Sequence, residues 1–128
     1  MKAKNHTRKI GEMGELYAEK YLTSQNYRVI KKNYRIWEGE IDLIAIDEES
    51  GELVFAEVKT RTTTFFGAPQ DSVNFQKRQK ILKTALHFLN SAREKGGLNW
   101  RVDVIAVKLN SRGKLDDITH FKNIFDGA

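Results

Sequence analysis

Asp42, Glu57 and Lys59 are charged residues set where apolar ones belong. Asp42 interrupts the run Glu40-Ile41-Asp42-Leu43-Ile44-Ala45-Ile46, and Glu57 and Lys59 interrupt Leu53-Val54-Phe55-Ala56-Glu57-Val58-Lys59. Both runs read as buried strands. A buried charge is costly unless it is paired or holds a metal. Strand side chains alternate between faces, so Leu53, Phe55, Glu57, Lys59 and Arg61 share one face, and Glu40, Asp42, Ile44 and Ile46 share one face of their own strand. Both strands change from apolar to charged at the same end, so a hairpin pairing brings Asp42 near Glu57. Two carboxylates held close repel each other, and one takes up a proton unless a cation intervenes. Hard oxygen ligands suit Mg2+ or Mn2+. Such an ion acidifies water and offsets charge on phosphate oxygens. Lys59, on the same face as Glu57, can orient an attacking water or neutralise developing charge. Glu57 and Lys59 alone have a plainer reading, a same-strand ion pair. Asp42 on the neighbouring strand turns the balance toward a metal-dependent hydrolytic site.

The elements that must hold these residues follow from periodicity. Residues from about Ile10 to Gln25 read as an amphipathic helix with Ile10, Met13, Tyr17, Ala18 and Tyr21 as its apolar stripe and Glu15 at the stripe's edge. Gly11 and Gly14 weaken that helix, and their usual reason is close approach of another backbone or a ligand. Residues 1–9 read as a flexible basic N-terminus. Strands are expected over Tyr27–Ile36, Glu40–Asp47 and Glu52–Arg61, the last two joined by the turn Glu48-Glu49-Ser50-Gly51 as an antiparallel hairpin. Thr62 to Gln70 reads as a loop. A long helix from about Asp71 to Lys95 carries the stripe Ile81, Leu82, Ala85, Phe88, Leu89 and Ala92, with Gly96-Gly97 as its stop. Trp100–Leu109 is a strand apolar on both faces, and a short strand is expected over Leu115–Phe121. A doubly apolar strand beside two helices means a sheet covered on both faces, hence α/β with a mixed central sheet of four to five strands.

The bulk properties narrow the partners. The 128 residues fit one domain over residues 1–128. Without cysteine there are no disulfides or thiolate metal sites, and His6, His87 and His120 share no metal-ligand spacing. No apolar run approaches the ~20 residues that span a bilayer, and the basic N-terminus has no apolar segment after it. A cytoplasmic location is the default. A formal charge of +5 and a pI near 9.5 favour polyanionic partners, chiefly nucleic acid. An inert basic surface accounts for charge alone equally well. Lys77 and Arg78 project to the side of the second helix's stripe and could reach phosphates near the site, or snorkel over the sheet edge. Arg61 suits a phosphate fork, or a pair with Glu40. Phe65 and Phe66 read as a loop cap on the core in preference to a wedge against bases. Asp103 reads as structural, pairing with Arg101 or a strand-end amide.

Asp42 followed by Glu57-Val58-Lys59 resembles the PD-(D/E)xK motif of restriction-endonuclease-like nucleases, and the element order resembles that fold's common core. Gly14-Glu15, Gly39-Glu40-Ile41-Asp42-Leu43-Ile44, Phe55-Ala56-Glu57-Val58-Lys59-Thr60-Arg61, Phe66-Gly67-Ala68-Pro69 and Arg101-Val102-Asp103-Val104 resemble the YraN-like family of small bacterial predicted endonucleases. That family is related in outline to archaeal Holliday-junction resolvases. The resemblance runs from Gly11 to about Phe125. It implies a restriction-endonuclease-like core in which Asp42, Glu57 and the backbone carbonyl of Val58 ligate the metal. It also implies that Lys59 positions the water and that Glu15 matches the helix carboxylate that completes the site in such resolvases. The motif's proline is replaced by Ile41, at a position that varies across the superfamily. The expectation is therefore an endonuclease, dependent on Mg2+ or Mn2+, that hydrolyses DNA. Branched or damaged DNA rests on family analogy alone; RNA stays open, and a homodimer is admitted because cutting both strands calls for two sites. The alternative is a non-catalytic nucleic-acid-binding or partner-recruiting module on the same fold.

Overall fold

The structure is a computed structural model that describes residues 2–62, 74–91 and 99–125, with side chains from residue 8 onward. Its elements are α1 (Lys2–Ser24), β1 (Tyr27–Ile36), β2 (Gly39–Asp47), β3 (Leu53–Arg61), α2 (Phe75–Ser91), β4 (Trp100–Leu109) and β5 (Leu115–Phe121). The expected strands are all present, three of them with the boundaries read from the sequence.

The five strands form one sheet in the order β1-β2-β3-β4-β5. Neighbours are antiparallel except β3 and β4, which run parallel across the connection that contains α2. The sheet is thus mixed, as a doubly apolar β4 requires. Each face carries one helix. On one side Ala18 and Leu22 of α1 pack with Leu43, Ala45, Val54, Ala56, Ile105, Val107 and Leu109. On the other, Ile81 and Ala85 of α2 pack with Ile41, Ile44, Leu53, Phe55, Val102 and Val104. Burying each of the larger side chains contributes about 1.5–3 kcal/mol, so these two layers dominate the stability.

Both helices depart from their expected starts. α1 begins at Lys2, not Ile10, so the basic segment read as a flexible tail is helical from Lys2 onward. Lysine, alanine and arginine are good helix formers, so the segment extends the helix without an apolar stripe of its own. α2 begins at Phe75 and not at Asp71. Asn74 caps it, its side-chain oxygen accepting the Lys77 N–H at 2.9 Å. Phe65, Phe66, the Gly67-Ala68-Pro69 segment and Gly96-Gly97 lie outside the described residues.

The two α1 glycines separate cleanly. A Cβ on Gly14 would stand 1.8 Å from the Thr60 hydroxyl and 2.8 Å from its Cβ, so the helix backbone lies directly on β3. A Cβ on Gly11 would meet nothing within 4 Å, so close approach does not explain that glycine.

Candidate active site

The site forms where the sheet opens. The β2–β3 ladder runs from Ile46↔Leu53 to Leu43↔Ala56 and stops there. One further step of that register places Asp42 opposite Glu57. In its place the Asp42 carboxylate accepts the Val58 N–H at 2.8 Å. Beyond this point β2 stays paired with β1 as far as Gly39, while β3 stays paired with β4 as far as Arg61. Asp42 and Glu57 therefore sit at a fork between two strand pairs.

Asp42 is 7% exposed, and the side chains of Glu57 and Lys59 are 13% and 15% exposed. The Lys59 ammonium lies 3.9 Å from the Glu57 carboxylate, a loose pair that leaves both groups room for another partner. Lys77, from the first turn of α2, acts electrostatically on Asp42 and Glu57 and stands close enough to Lys59 to disfavour its charge. Glu15 approaches from α1 on the opposite side of the sheet. Its carboxyl is pushed up by burial, then by repulsion from Asp42 and Glu40, while a hydrogen bond from Asn33 opposes the shift.

The electrostatics are those of crowded acids. Burial, then repulsion from Asp42, raises Glu57 to about 7, against the pull of Lys59 and Lys77. Burial also raises Asp42, but the Val58 N–H favours its anion, so the proton of the pair belongs on Glu57. Burial and then the nearby Lys77 amine bring Lys59 down to about 8, with Glu57 opposing.

A divalent ion fits this donor set. Two buried carboxylates lie at facing strand positions, and each is disfavoured as an anion until a cation joins them. Mg2+ commonly takes one or two carboxylates and fills its other positions with water and substrate phosphate. Among the described residues no cluster of three or more His, Asp or Glu forms a closed cage, so Glu15 stands near the pair without completing a ready-made third ligand position. The Val58 N–H is taken by Asp42, and its carbonyl belongs to the same peptide-rich fork.

The basic residues part company. Lys77 joins the acids, whereas the Arg78 guanidinium lies over the Phe125 ring, 5.8 Å from its centroid. Arg61 ends β3 and is exposed, and Glu40 pairs across the β1–β2 hairpin with Arg35 at 2.5 Å. Asp103 stands opposite Ala56, one register step from Glu57, and pairs with Arg101 at 3.0 Å, in keeping with its structural reading. Two contributors escaped the sequence reading. Asn33, with φ 51°, orients Glu15 from within β1, and asparagine in a strand run was the available signal. Thr60 seats Gly14, and only a contact across the sheet reveals it.

Fold and site together define a small α/β protein with a carboxylate–lysine centre at a sheet fork. The chain belongs to the family described as "Uncharacterised protein family UPF0102", whose model matches residues 14–107; this is the YraN-like group that the motifs resemble. It is similar to UPF0102 proteins of Desulforamulus reducens (40% identical, covering 89% of this chain and 93% of the relative), Alkaliphilus oremlandii (41%, 92% and 98%) and Geobacter metallireducens (37%, 96% and 97%). Among solved structures, a repair endonuclease from Pyrococcus abyssi aligns with a TM-score of 0.37 and 17% identity, over 77% of this chain and 37% of that one.

Proposed function

We propose that this protein is a metal-dependent endonuclease that hydrolyses DNA phosphodiester bonds. The observation that carries the reading is the fork, where Asp42 faces Glu57 in a buried setting with Lys59 beside them. Asp42 and Glu57, with the Val58 carbonyl, would hold Mg2+ or Mn2+. When bound, the ion supplies Lewis acidity toward water and phosphate oxygen. The chain's own residues do the rest. The Val58 N–H favours the Asp42 anion, and Glu57 would have to be deprotonated to serve as a ligand. Lys59, 3.9 Å from Glu57, can orient the attacking water or stabilise charge on the phosphate as it transfers. Glu15 would steady that water or a metal-bound neighbour from the α1 side. Arg61, Lys77 and Arg78 would engage the DNA backbone, which positions the substrate without reading sequence.

The test is cleavage of single-stranded, blunt duplex, forked and four-way DNA, with an RNA control, in Mg2+ or Mn2+. Wild type is expected to cut at least one DNA form. Asp42→Ala, Glu57→Ala and Lys59→Met are expected to lose about 100-fold or more. Equal behaviour of wild type and Asp42→Ala on every substrate would sink the catalytic reading. If neither cuts and both bind DNA with the same steep salt dependence, the protein is a binding module.

A further inference from the structure

Trp37 is 98% exposed. Tryptophan is highly buried on average, and burial of its ring covers roughly 150–250 Å². A ring left wholly in water invites a search for the surface that covers it.

The mount is rigid. Ile36 pairs with Gly39, so Trp37 and Glu38 form a two-residue hairpin tip. Gly39 is pressed onto α2, where an added Cβ would stand 2.8 Å from the Thr84 hydroxyl and 3.2 Å from the Lys80 carbonyl oxygen. The tip cannot swing inward to hide the ring without lifting off α2.

The tip also projects from the end of the sheet that holds the fork. Gly39 lies three residues before Asp42 on the same strand, or about 10 Å at strand rise. A DNA strand advances about 3.4 Å per nucleotide, so the ring stands a few nucleotides from a phosphate held at the acids.

The neighbouring charges select the kind of contact. Arg35, Glu38, Glu40 and Lys80 surround the tip, two cations against two carboxylates. Arg35 and Glu40 are already paired. A balanced rim has little to offer a phosphate backbone, so the ring must make the contact through its face. Bases inside a duplex are stacked on one another and present no free face. An unpaired base does, and base–aromatic stacking needs no particular sequence.

We propose that Trp37 stacks on an unpaired nucleobase and so selects DNA with a single-stranded segment, flap, fork or open junction beside the scissile phosphate. The proposal rests on the nuclease reading and adds the substrate class to it.

Binding in EDTA keeps it apart from catalysis. The full chain is titrated with a short single strand, a forked duplex and a blunt duplex, following tryptophan emission in wild type and Trp37→Phe. The difference isolates Trp37 from Trp100, the second of the chain's two tryptophans. Single-stranded and forked DNA are expected to quench Trp37, and blunt duplex is not. Trp37→Ala is expected to weaken binding of the single strand and fork roughly ten-fold, in line with the loss of one stacked base. Blunt duplex should change less than about two-fold, and Trp37→Phe should keep most of the affinity. If Trp37→Ala weakens all three forms alike, or none, the proposal fails while the nuclease reading stands. If wild type binds no DNA at all in EDTA, the proposal fails, and the nuclease reading is judged by the cleavage test with metal. If Trp37 emission responds to protein concentration and not to DNA, the ring's partner is a second copy, and the proposal fails.

Discussion

Glu57 keeps its proton to about pH 7 because burial strips its anion of water and Asp42 repels what charge remains. The folded protein therefore binds this proton more tightly than the unfolded chain, where the group titrates near 4.5. The stability it contributes is complete below pH 4.5 and is lost as pH rises through 7. Lys59 runs the other way. Its folded value of about 8 lies below the ordinary 10.5, so its contribution is present above 10.5 and is lost as pH falls through 8. Between pH 7 and 8 the metal-free site thus carries both costs. Glu57→Gln removes the first. In urea unfolding without metal it should be more stable than wild type at pH 8, by roughly 2–3 kcal/mol. The two proteins should converge below pH 4.5. Excess Mn2+ at pH 8 should reverse the ranking, since only wild type gains the binding energy. A stability difference that stays flat between pH 4.5 and 8 would show that Glu57 is not held protonated by its surroundings.

The site depends on how α1 and α2 meet the sheet, and the close seat of Gly14 on Thr60 sets α1 and with it Glu15. Gly14→Ala puts a methyl 1.8 Å from a hydroxyl on a β-branched side chain that has little freedom to turn. The helix must lift, at a cost of about 1–3 kcal/mol. Gly14→Ala with Thr60→Gly should recover most of that loss, whereas Gly11→Ala, in open space, should be neutral or slightly stabilising. Thermal unfolding of the three variants checks this, and equal loss from both glycines would refute the seat. The contrast also shows what the sequence could and could not tell. Alternation was enough to put Asp42 near Glu57, because period two and a single hairpin turn leave one register that buries both apolar faces. A mixed sheet covered on both faces followed from the apolar faces of β4 and the two helices, whereas the parallel pairing of β3 with β4 is seen only in the structure. The end of the β2–β3 ladder did not follow, since it depends on one side chain, Asp42, displacing a backbone partner of Val58. Nor did the choice between Gly11 and Gly14, which have the same local sequence character and differ only in what lies across the sheet. The start of α1 did not follow because a run of lysine, arginine and small polar residues carries no apolar period to read.

Across the whole molecule, the polar site at the fork is matched by a buried polar cluster centred on Arg101 of β4. Arg101 donates to Asp47 at 3.1 Å, to Glu52 at 2.6 Å, to Asp103 at 3.0 Å and to the Tyr27 hydroxyl at 2.7 Å. Asp103 also receives the Asn123 N–H at 2.9 Å and bonds His120 at 2.7 Å, and His120 lies 3.3 Å from the Tyr21 hydroxyl of α1. One guanidinium thus links β1, β2, the segment entering β3, β4 and, through Asp103, β5 and α1. Asp47 and Asp103 each accept several hydrogen bonds, whereas Asp42 at the fork accepts one backbone N–H and Glu57 is held by the loose Lys59 pair, and the difference appears in the sign of the shifts. Burial alone would raise Asp47 and Asp103, but hydrogen bonds from Arg101 to both, from His120 and the Asn123 N–H to Asp103, and from backbone N–H groups to Asp47 hold them below 3.8. Their stabilisation is present above pH 3.8 and is lost as pH falls through the lower folded values. Arg101→Met removes the shared cation and leaves buried carboxylates uncompensated, which should cost about 3–5 kcal/mol at pH 7. The loss should shrink as the pH is lowered past 3.8, because wild type forfeits the same interaction there. Arg101 stands opposite Val54, three register steps from the Glu57–Val104 pair, so the fraction of Arg101→Met that is folded at low temperature should bind Mn2+ as tightly as wild type. Urea unfolding across pH 3 to 8, with Mn2+ titration of the folded variant, tests both halves. A variant that stays fully folded but loses Mn2+ would mean that the cluster and the fork are coupled through the sheet and are not independent.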